Sequence, residues 1–204
     1  MNRFSRFSLL LQCQYLILLA THFYLICCCI TDQYMKSQSR FVMKSITSDQ
    51  SIKVSAPTLW AAITSNHHLE KCHPYILRHT KNIADRGLSD EITYLNGVTF
   101  TREATAWMDG VGYDLKVGRI DEPKNEVAWR IEPLDSNSCK LSISVTPLAV
   151  EKFPKLFRGV ALRLFVRRQV GLYLDAVTGG IKMWVETGKA IDKTAFPRHP
   201  WFCN

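Results

Sequence analysis

The sequence has none of the short motifs that mark the common catalytic and nucleic-acid-binding sites. It contains no GxSxG nucleophile elbow, no glycine-rich phosphate loop and no HExxH metal helix, which disfavours nucleophilic hydrolysis and metal catalysis. The net charge of +8 is moderate, and no zinc-finger spacing, recognition-helix signature or basic-aromatic repeat accompanies it. We therefore expect no nucleic-acid partner.

The seven cysteines form no disulfide framework. Four lie in the apolar N-terminal stretch, and Cys72, Cys139 and Cys203 are scattered through the rest of the chain without a CxxC pair. Scattered single cysteines fit a reducing compartment. We therefore predict a cytoplasmic domain with no metal and no cofactor.

Residues 1–42 form an apolar extension whose role the sequence leaves open. Within it, Ser8–Ile30 is almost uncharged and is long enough to cross a bilayer. The segment fits a membrane anchor, a poor secretion signal, or a start assigned upstream of a true start at Met43. Arg3 and Arg6 precede it and three cations follow it, which favours a cytoplasmic domain even with an anchor.

The remainder of the chain has a globular composition, because 47% of the whole sequence is hydrophobic and 22% is charged. A strand is predicted at Ser51–Ser55, followed by short helices at Pro57–Ser65 and Leu69–Cys72. Pro57 favours the start of the first helix and Pro74 the end of the second. Further strands are predicted at Leu77–Ala84, Asp90–Leu95, Val98–Met108, Val111–Ile120, Glu126–Pro133 and Cys139–Thr146.

The connections between these strands are typical of hairpins in series. Asn96-Gly97 and Asp109-Gly110 are strong two-residue turn signals. Alternation in the last three strands places an apolar face towards the interior and a polar face towards water. The apolar positions are Tyr113, Leu115, Val117, Val127, Trp129, Ile131, Leu141, Ile143 and Val145.

One long amphipathic helix is predicted over Lys155–Lys189, because apolar residues recur there every three or four positions. Gly179 and Gly180 do not disturb this phase, so we expect a bend or a close contact at the pair. The stripe that should face the sheet is Leu162, Val166, Val170, Tyr173, Val177, Ile181 and Trp184. Residues 190–204 contain two prolines and are predicted to be a flexible surface tail.

This order of elements, with the segments APTLWAAITSNHHLEKCHPYI and TREATAWMDGVGYDLKVG, resembles the SRPBCC superfamily of START-like, birch-pollen-allergen-like proteins. The polyketide cyclase/dehydrase and lipid-transport group is the most similar part of it. The resemblance covers residues 48–189, although Cys72 stands where relatives often carry tryptophan. It implies an α+β helix-grip fold, in which a curved antiparallel sheet of about seven strands surrounds one long C-terminal helix.

The resemblance also implies a cavity between sheet and helix that takes an apolar small molecule. We therefore expect a binder of a lipid, polyketide or aromatic compound; a cyclase- or dehydratase-like enzyme and a protein-interaction module are the alternatives. Trp107 is out of phase with the wall positions and is expected outside the cavity. The predicted wall residues are Tyr94, Phe100, Arg102, Tyr113, Leu115, Trp129, Ile131, Ile143, Tyr173, Val177 and Trp184.

His73 and Arg102 are the candidates for chemistry. His73 is expected near the mouth of the cavity, where it would donate to a ligand carbonyl or move a proton; the alternative is a bond to a backbone carbonyl at the helix end. Strand alternation places Arg102 inward and Glu103 outward, unless a bulge exposes both. An inward Arg102 would orient a polar ligand head. The three wall tyrosines fit core packing as well as ligand binding.

The first half of the predicted long helix is basic, with no acid before Asp175. Cations near a helix N-terminus oppose the macrodipole. Either an anionic membrane surface or carboxylates such as Glu151 would compensate them. The cations are Lys155, Arg158, Arg163, Arg167 and Arg168.

Overall fold

The computed structural model describes residues 44–81, 89–147 and 160–203, with side chains from residue 164 onwards in the last range. The N-terminal extension, including the possible anchor at 8–30, lies outside the described residues. Within those ranges, no helix is long and apolar enough to span a membrane.

Seven strands form one antiparallel sheet. They are β1 (Ile46–Ile52), β2 (Ile76–Lys81), β3 (Ser89–Tyr94), β4 (Thr99–Met108), β5 (Gly112–Gly118), β6 (Asn125–Pro133) and β7 (Cys139–Thr146). Their order across the sheet is β1-β7-β6-β5-β4-β3-β2. The strands β2 to β7 are therefore a meander, and Gly97 and Gly110 adopt the positive φ values that two of its turns need. The predicted α+β helix-grip fold is confirmed.

The first strand begins at Ile46, earlier than the predicted Ser51. It pairs with β7 from Ile46 opposite Val145 to Ile52 opposite Cys139. The residues between its two terminal isoleucines are polar, so the sequence shows no apolar alternation there. One of them, Ser48, is buried because its hydroxyl donates to Asp175 of the C-terminal helix at 2.6 Å.

Two short helices follow β1 within one residue of their predicted bounds. They are α1 (Ala56–Thr64), which packs against β6, and α2 (His68–Cys72), which packs against β2. Ser55 caps α1 by accepting from the Thr58 N–H. Before α2, His67 takes a left-handed conformation with φ 55°, and this turn brings His68 into the interior.

The C-terminal helix α3 (Val160–Thr187) packs mainly over β1 and also contacts β7 and α2. The predicted residues 155–159 and the side chain of Leu162 lie outside the described part. From Val166 to Ile181 the predicted stripe is buried except Tyr173, which is half-buried, as is Trp184. At Gly180 a Cβ would lie 2.3 Å from the Cys72 carbonyl oxygen, so the expected close contact is confirmed.

The segment after α3 packs against the domain, where the sequence predicted a flexible surface tail. Lys193 donates to the carbonyl oxygens of Glu70 and His73 at 2.9 and 2.7 Å. Further on, the Phe202 ring stacks on Tyr94 with 4.2 Å between centroids. This packing could not be predicted from the sequence, because in each contact the tail residue and its partner are more than a hundred positions apart in the chain.

Candidate functional site

Arg102 is the buried residue of β4, a strand that the structure describes in full. It is 6% exposed, whereas the other positions of the strand are half-buried or exposed. It lies directly opposite Asp90 on β3 and Val117 on β5. Glu103 points to the other face and pairs with Lys124. The interior of the sheet therefore contains a permanent cation, at the position that strand phase predicted.

Asp90 is the partner of this cation, and His79 shares it. The Arg102 Nε lies 3.5 Å from Asp90 Oδ1, while His79 Nε2 donates to Asp90 Oδ2 at 3.0 Å. Burial alone would raise the pKa of Asp90, but the His79 hydrogen bond and the Arg102 charge hold that pKa below its usual value. Asp90 is therefore an ionised carboxylate whose Oδ2 accepts from His79 and whose Oδ1 faces Arg102 without a hydrogen bond to a described residue.

His68 completes the cluster as a neutral ring. It is 4% exposed, and burial, with the Arg102 charge next in importance, lowers the pKa of His68 to about 3. Its Nδ1 lies 2.8 Å from the Ser65 carbonyl oxygen, so Nδ1 carries the proton and Nε2 is an acceptor. Among the described residues, no group of metal-ligating side chains is arranged to hold an ion.

A bulge in β4 changes the prediction for Trp107. The register shifts between Ala104 and Ala106, which places Trp107 opposite Tyr113 and on the inward face. The Trp107 and Tyr113 rings stack at 5.3 Å, and Trp129 also stacks on Tyr113 at 5.3 Å. Trp107 therefore shares the face of Tyr113, but half of its surface is exposed, and its place outside the cavity stays a prediction.

The hydroxyl of Tyr113 is buried between these rings and Arg102. Within residues 44–81, 89–147 and 160–203 no group meets full hydrogen-bond geometry with it, although the Arg102 side chain lies close enough for a weak hydrogen bond that opposes the rise in the Tyr113 pKa caused by burial. Burial raises the pKa of Tyr113, and the nearby Arg102 charge acts in the opposite direction with a smaller effect. Tyr113 is thus a neutral phenol that can donate.

His73 belongs to a second polar group, a hydrogen-bonded chain with Tyr173 and Tyr94. His73 Nδ1 accepts from the Tyr75 N–H at 3.2 Å, so its Nε2 carries the proton and donates to the Tyr173 hydroxyl at 2.9 Å. The Tyr173 and Tyr94 oxygens are 3.1 Å apart. Burial, followed by the charges of Lys193 and Arg102, lowers the pKa of His73 well below its usual value. The chain is neutral and can transfer a proton without holding charge.

The remaining predicted wall residues lie in three places. Phe100 lies at the tail end of the sheet, where its ring meets Tyr94 at 5.3 Å and Phe202 at 6.3 Å. Trp184 is half-buried near the other end of α3. The core between sheet and helix buries Leu115, Trp129, Ile131, Ile143 and Val177.

The sequence reasoning missed Asp90, His79 and His68. Asp90 had a signal, because it alternates with Ile92 and Tyr94, which are both buried. No sequence signal marked His79, because the register shift in β2 between Ile76 and Arg78 interrupts the alternation of inward and outward side chains. The burial of His68 depends on the left-handed turn at His67, which the sequence does not mark.

Among the surface pockets that described residues bound, three lie outside the Arg102 cluster. One of about 470 Å³ lies beside Trp60 of α1, and one of about 370 Å³ lies on the outer face of the sheet. The third, about 300 Å³, lies between α3 and the tail and is lined by Tyr75 and His199 among others. Both of these rings contact Tyr173 at 5.9 Å, so this pocket is one ring away from the tyrosine chain.

Similar folds are found among solved structures. A START superfamily protein from Mycobacterium smegmatis superposes with a TM-score of 0.54 at 14% identity, over 71% of this chain and 99% of its own. For XoxI from Bacillus cereus the TM-score is 0.53 at 18% identity, over 69% and 94% of the two chains. The di-domain ARO/CYC BexL of the BE-7585A biosynthetic pathway gives 0.52 at 14% identity, over 70% of this chain and 47% of BexL.

These likenesses are structural. No protein-family model matches the sequence, and no curated protein matches it significantly. The chain has the helix-grip fold of the START-like proteins, which confirms at the level of the fold the resemblance to the SRPBCC superfamily.

Proposed function

We propose that the protein binds a hydrophobic small molecule of lipid, polyketide or aromatic type between the sheet and α3. The observation that carries this proposal is the burial of Arg102, which has a single ion pair among the described residues, 3.5 Å from its Nε to Asp90 Oδ1. A buried guanidinium is costly unless its donors are matched, and a packed apolar residue at this position would stabilise the fold at least as well. A bound ligand that accepts the remaining hydrogen bonds of Arg102 would explain the buried cation. The START-like fold supports the same proposal, because the resemblance implies a cavity between the sheet and the helix.

Native mass spectrometry of the protein purified from its host tests this proposal. We expect a retained apolar compound that organic extraction releases, and we expect Arg102→Met to lose it. Arg130→Met is the matched control, because Arg130 lies on the outer face and pairs with Asp114 at 2.6 Å. Wild-type protein that is empty in repeated preparations would contradict the proposal.

The alternative is a cyclase- or dehydratase-like enzyme, and the neutral chain of His73, Tyr173 and Tyr94 favours it. Such a chain can take a proton from an activated carbon and return one to a departing hydroxyl, releasing water. DynU16, a putative protein in the dynemicin biosynthetic locus, and BexL have the same fold. Tyr173→Phe separates the two functions. A binder keeps its affinity for the extracted compound within about threefold, whereas an enzyme loses turnover of that compound.

We further propose that one face of α3 contacts anionic membrane, from which an apolar ligand is collected. Four large apolar side chains, 36–62% exposed, form an α3–tail patch: Leu164, Phe165, Leu172 and Trp201. The Phe165 and Trp201 rings are 6.2 Å apart. Exposed Arg167 and Arg168 adjoin the patch on the same helix. Aromatic and leucine side chains beside arginines suit a bilayer interface that carries negative lipids.

A further inference from the structure

Two donors face the interior beside each other, and the ligand has to match them. Arg102 Nη1 and the Tyr113 hydroxyl are both buried, and neither meets full hydrogen-bond geometry in the described part of the chain; the same holds for His68 Nε2, His79 Nδ1 and Asp90 Oδ1. Arg102 is 6% and Tyr113 2% exposed, so bulk water does not reach them freely. Buried polar groups in native proteins are nearly always paired. The pair is therefore suited to a group that arrives with the ligand.

The two donors are held in position independently of any ligand. Asp90 fixes the Nε side of the Arg102 guanidinium, and His79 in turn fixes Asp90. His79 is tied to α2, because its backbone N–H donates to Glu70 Oε1 at 2.7 Å. On the other side, the rings of Trp107 and Trp129 hold Tyr113. Such prior ordering reduces the entropy lost on binding.

The chemistry of the partner follows from what the pair presents. A guanidinium N–H and a neutral phenol both donate, so the complementary group is an acceptor oxygen. A carbonyl oxygen and an oxyanion such as a carboxylate or phenolate share this property, and donors of this kind favour negative charge on the oxygen. A hydrocarbon without an acceptor would leave both donors unmatched.

We infer that Arg102 Nη1 and the Tyr113 hydroxyl form a subsite for an acceptor oxygen, a carbonyl or an oxyanion, on an otherwise apolar ligand. This inference rests on the proposed binding function and specifies its ligand class. Stacking with two tryptophans explains the position of the Tyr113 ring but not its buried hydroxyl. The subsite orients the ligand, and the surrounding apolar residues supply the contact area.

Three naphthalenes that differ at one position test the subsite: 2-acetylnaphthalene, 2-naphthoate and 2-ethylnaphthalene. Equilibrium dialysis with the full chain measures their dissociation constants. We expect the ketone, the carboxylate or both to bind at least about tenfold more tightly than the hydrocarbon, as one or two matched hydrogen bonds to a charged donor would give. Comparing the ketone with the carboxylate separates a carbonyl site from an oxyanion site.

Variants assign the preference to the subsite. Tyr113→Phe keeps the stacked ring and removes one donor, so it should reduce the preference by about threefold or more while the hydrocarbon affinity stays within about twofold. Arg102→Met should abolish the preference, and Arg130→Met should keep it. Thermal melting of each variant confirms that it is folded; if Arg102→Met does not fold, Tyr113→Phe alone decides.

The outcomes separate the two proposals. Equal binding of all three compounds, or a preference that survives in Tyr113→Phe, overturns the subsite and leaves the hydrophobic-binding function in place. Failure of all three to bind counts against the binding function itself.

Discussion

Neutral histidines lie beside a permanent cation in the interior of this protein. His68 and His73 are 4% and 3% exposed, and burial dominates the lowering of the pKa at both. Arg102 adds to the effect in each case, because a charged imidazolium would face a guanidinium. His68 and His73 are thus held neutral beside Arg102, which cannot lose its charge.

This arrangement predicts a loss of stability in mild acid. Below pH 6.5 the histidines of the unfolded chain bind protons, whereas His68 in the folded protein stays neutral to about pH 3. The unfolded state therefore binds more protons in this range, and the free energy of unfolding falls as pH decreases. We expect about 1 kcal/mol per pH unit from each of His68 and His73, measured by urea unfolding at several pH values between about 7 and about 5.

A His68→Asn variant isolates one of these contributions. Its amide nitrogen can still donate to the Ser65 carbonyl oxygen, and it does not titrate, so the slope of stability against pH should decrease by about 1 kcal/mol per pH unit. If wild type and variant share one slope, His68 is not a buried neutral group.

Among the secondary-structure elements, those with local signals could be predicted from the sequence. The β3–β4 and β4–β5 hairpins have their turns in Asn96-Gly97 and Asp109-Gly110, and the helix stripe repeats within α3. Arg102 was placed inward by phase, since β4 is regular before its bulge. Ser48 and His79 were not predicted, because an α3 contact 127 positions away and a register shift, respectively, determine their burial.

Two glycines of α3 should respond in opposite directions to the same substitution. Gly180 touches the Cys72 carbonyl, so Gly180→Ala must push α3 away from α2, and we expect a loss of about 1–3 kcal/mol. Gly171 has no atom within 4 Å of a Cβ built on it, so Gly171→Ala should gain about 0.5–1 kcal/mol from helix propensity. Urea unfolding measures both. A gain at Gly180 would mean that the helix does not approach α2 this closely.

On the scale of the whole domain, the tail connects the hydrogen-bonded chain of His73, Tyr173 and Tyr94 to the α3–tail patch. Phe202 stacks on Tyr94 and lies 4.9 Å from Tyr173, whereas its neighbour Trp201 is exposed and meets Phe165. Asn96 holds this end of the chain, since its side chain donates to the Trp201 carbonyl oxygen at 2.9 Å. A membrane that took up Trp201 would therefore act on a segment that covers the tyrosine chain.

Vesicle flotation tests whether the α3–tail patch docks on lipid. We expect the protein to float with vesicles that contain phosphatidylserine, and to stay behind with pure phosphatidylcholine, because the apolar patch adjoins Arg167 and Arg168 and each arginine near an anionic surface contributes about 1 kcal/mol. The double variant Phe165→Ser and Trp201→Ser should reduce the bound fraction at least about fivefold, and Arg167→Gln with Arg168→Gln should remove the phosphatidylserine dependence.

Leu134→Ser provides the control for these variants. Leu134 is 52% exposed, much like the patch residues, but it lies after β6 at the opposite end of the sheet from Asn96 and the tail. Its replacement should leave flotation unchanged, because the patch itself stays intact. Equal binding to both vesicle types would show that the arginines do not matter, and absence of binding to either would remove the membrane from the proposal. In that case a protein partner would be the alternative occupant of the exposed Phe165 and Trp201. A stoichiometric protein that co-purifies with the wild type but not with the double variant would identify that partner.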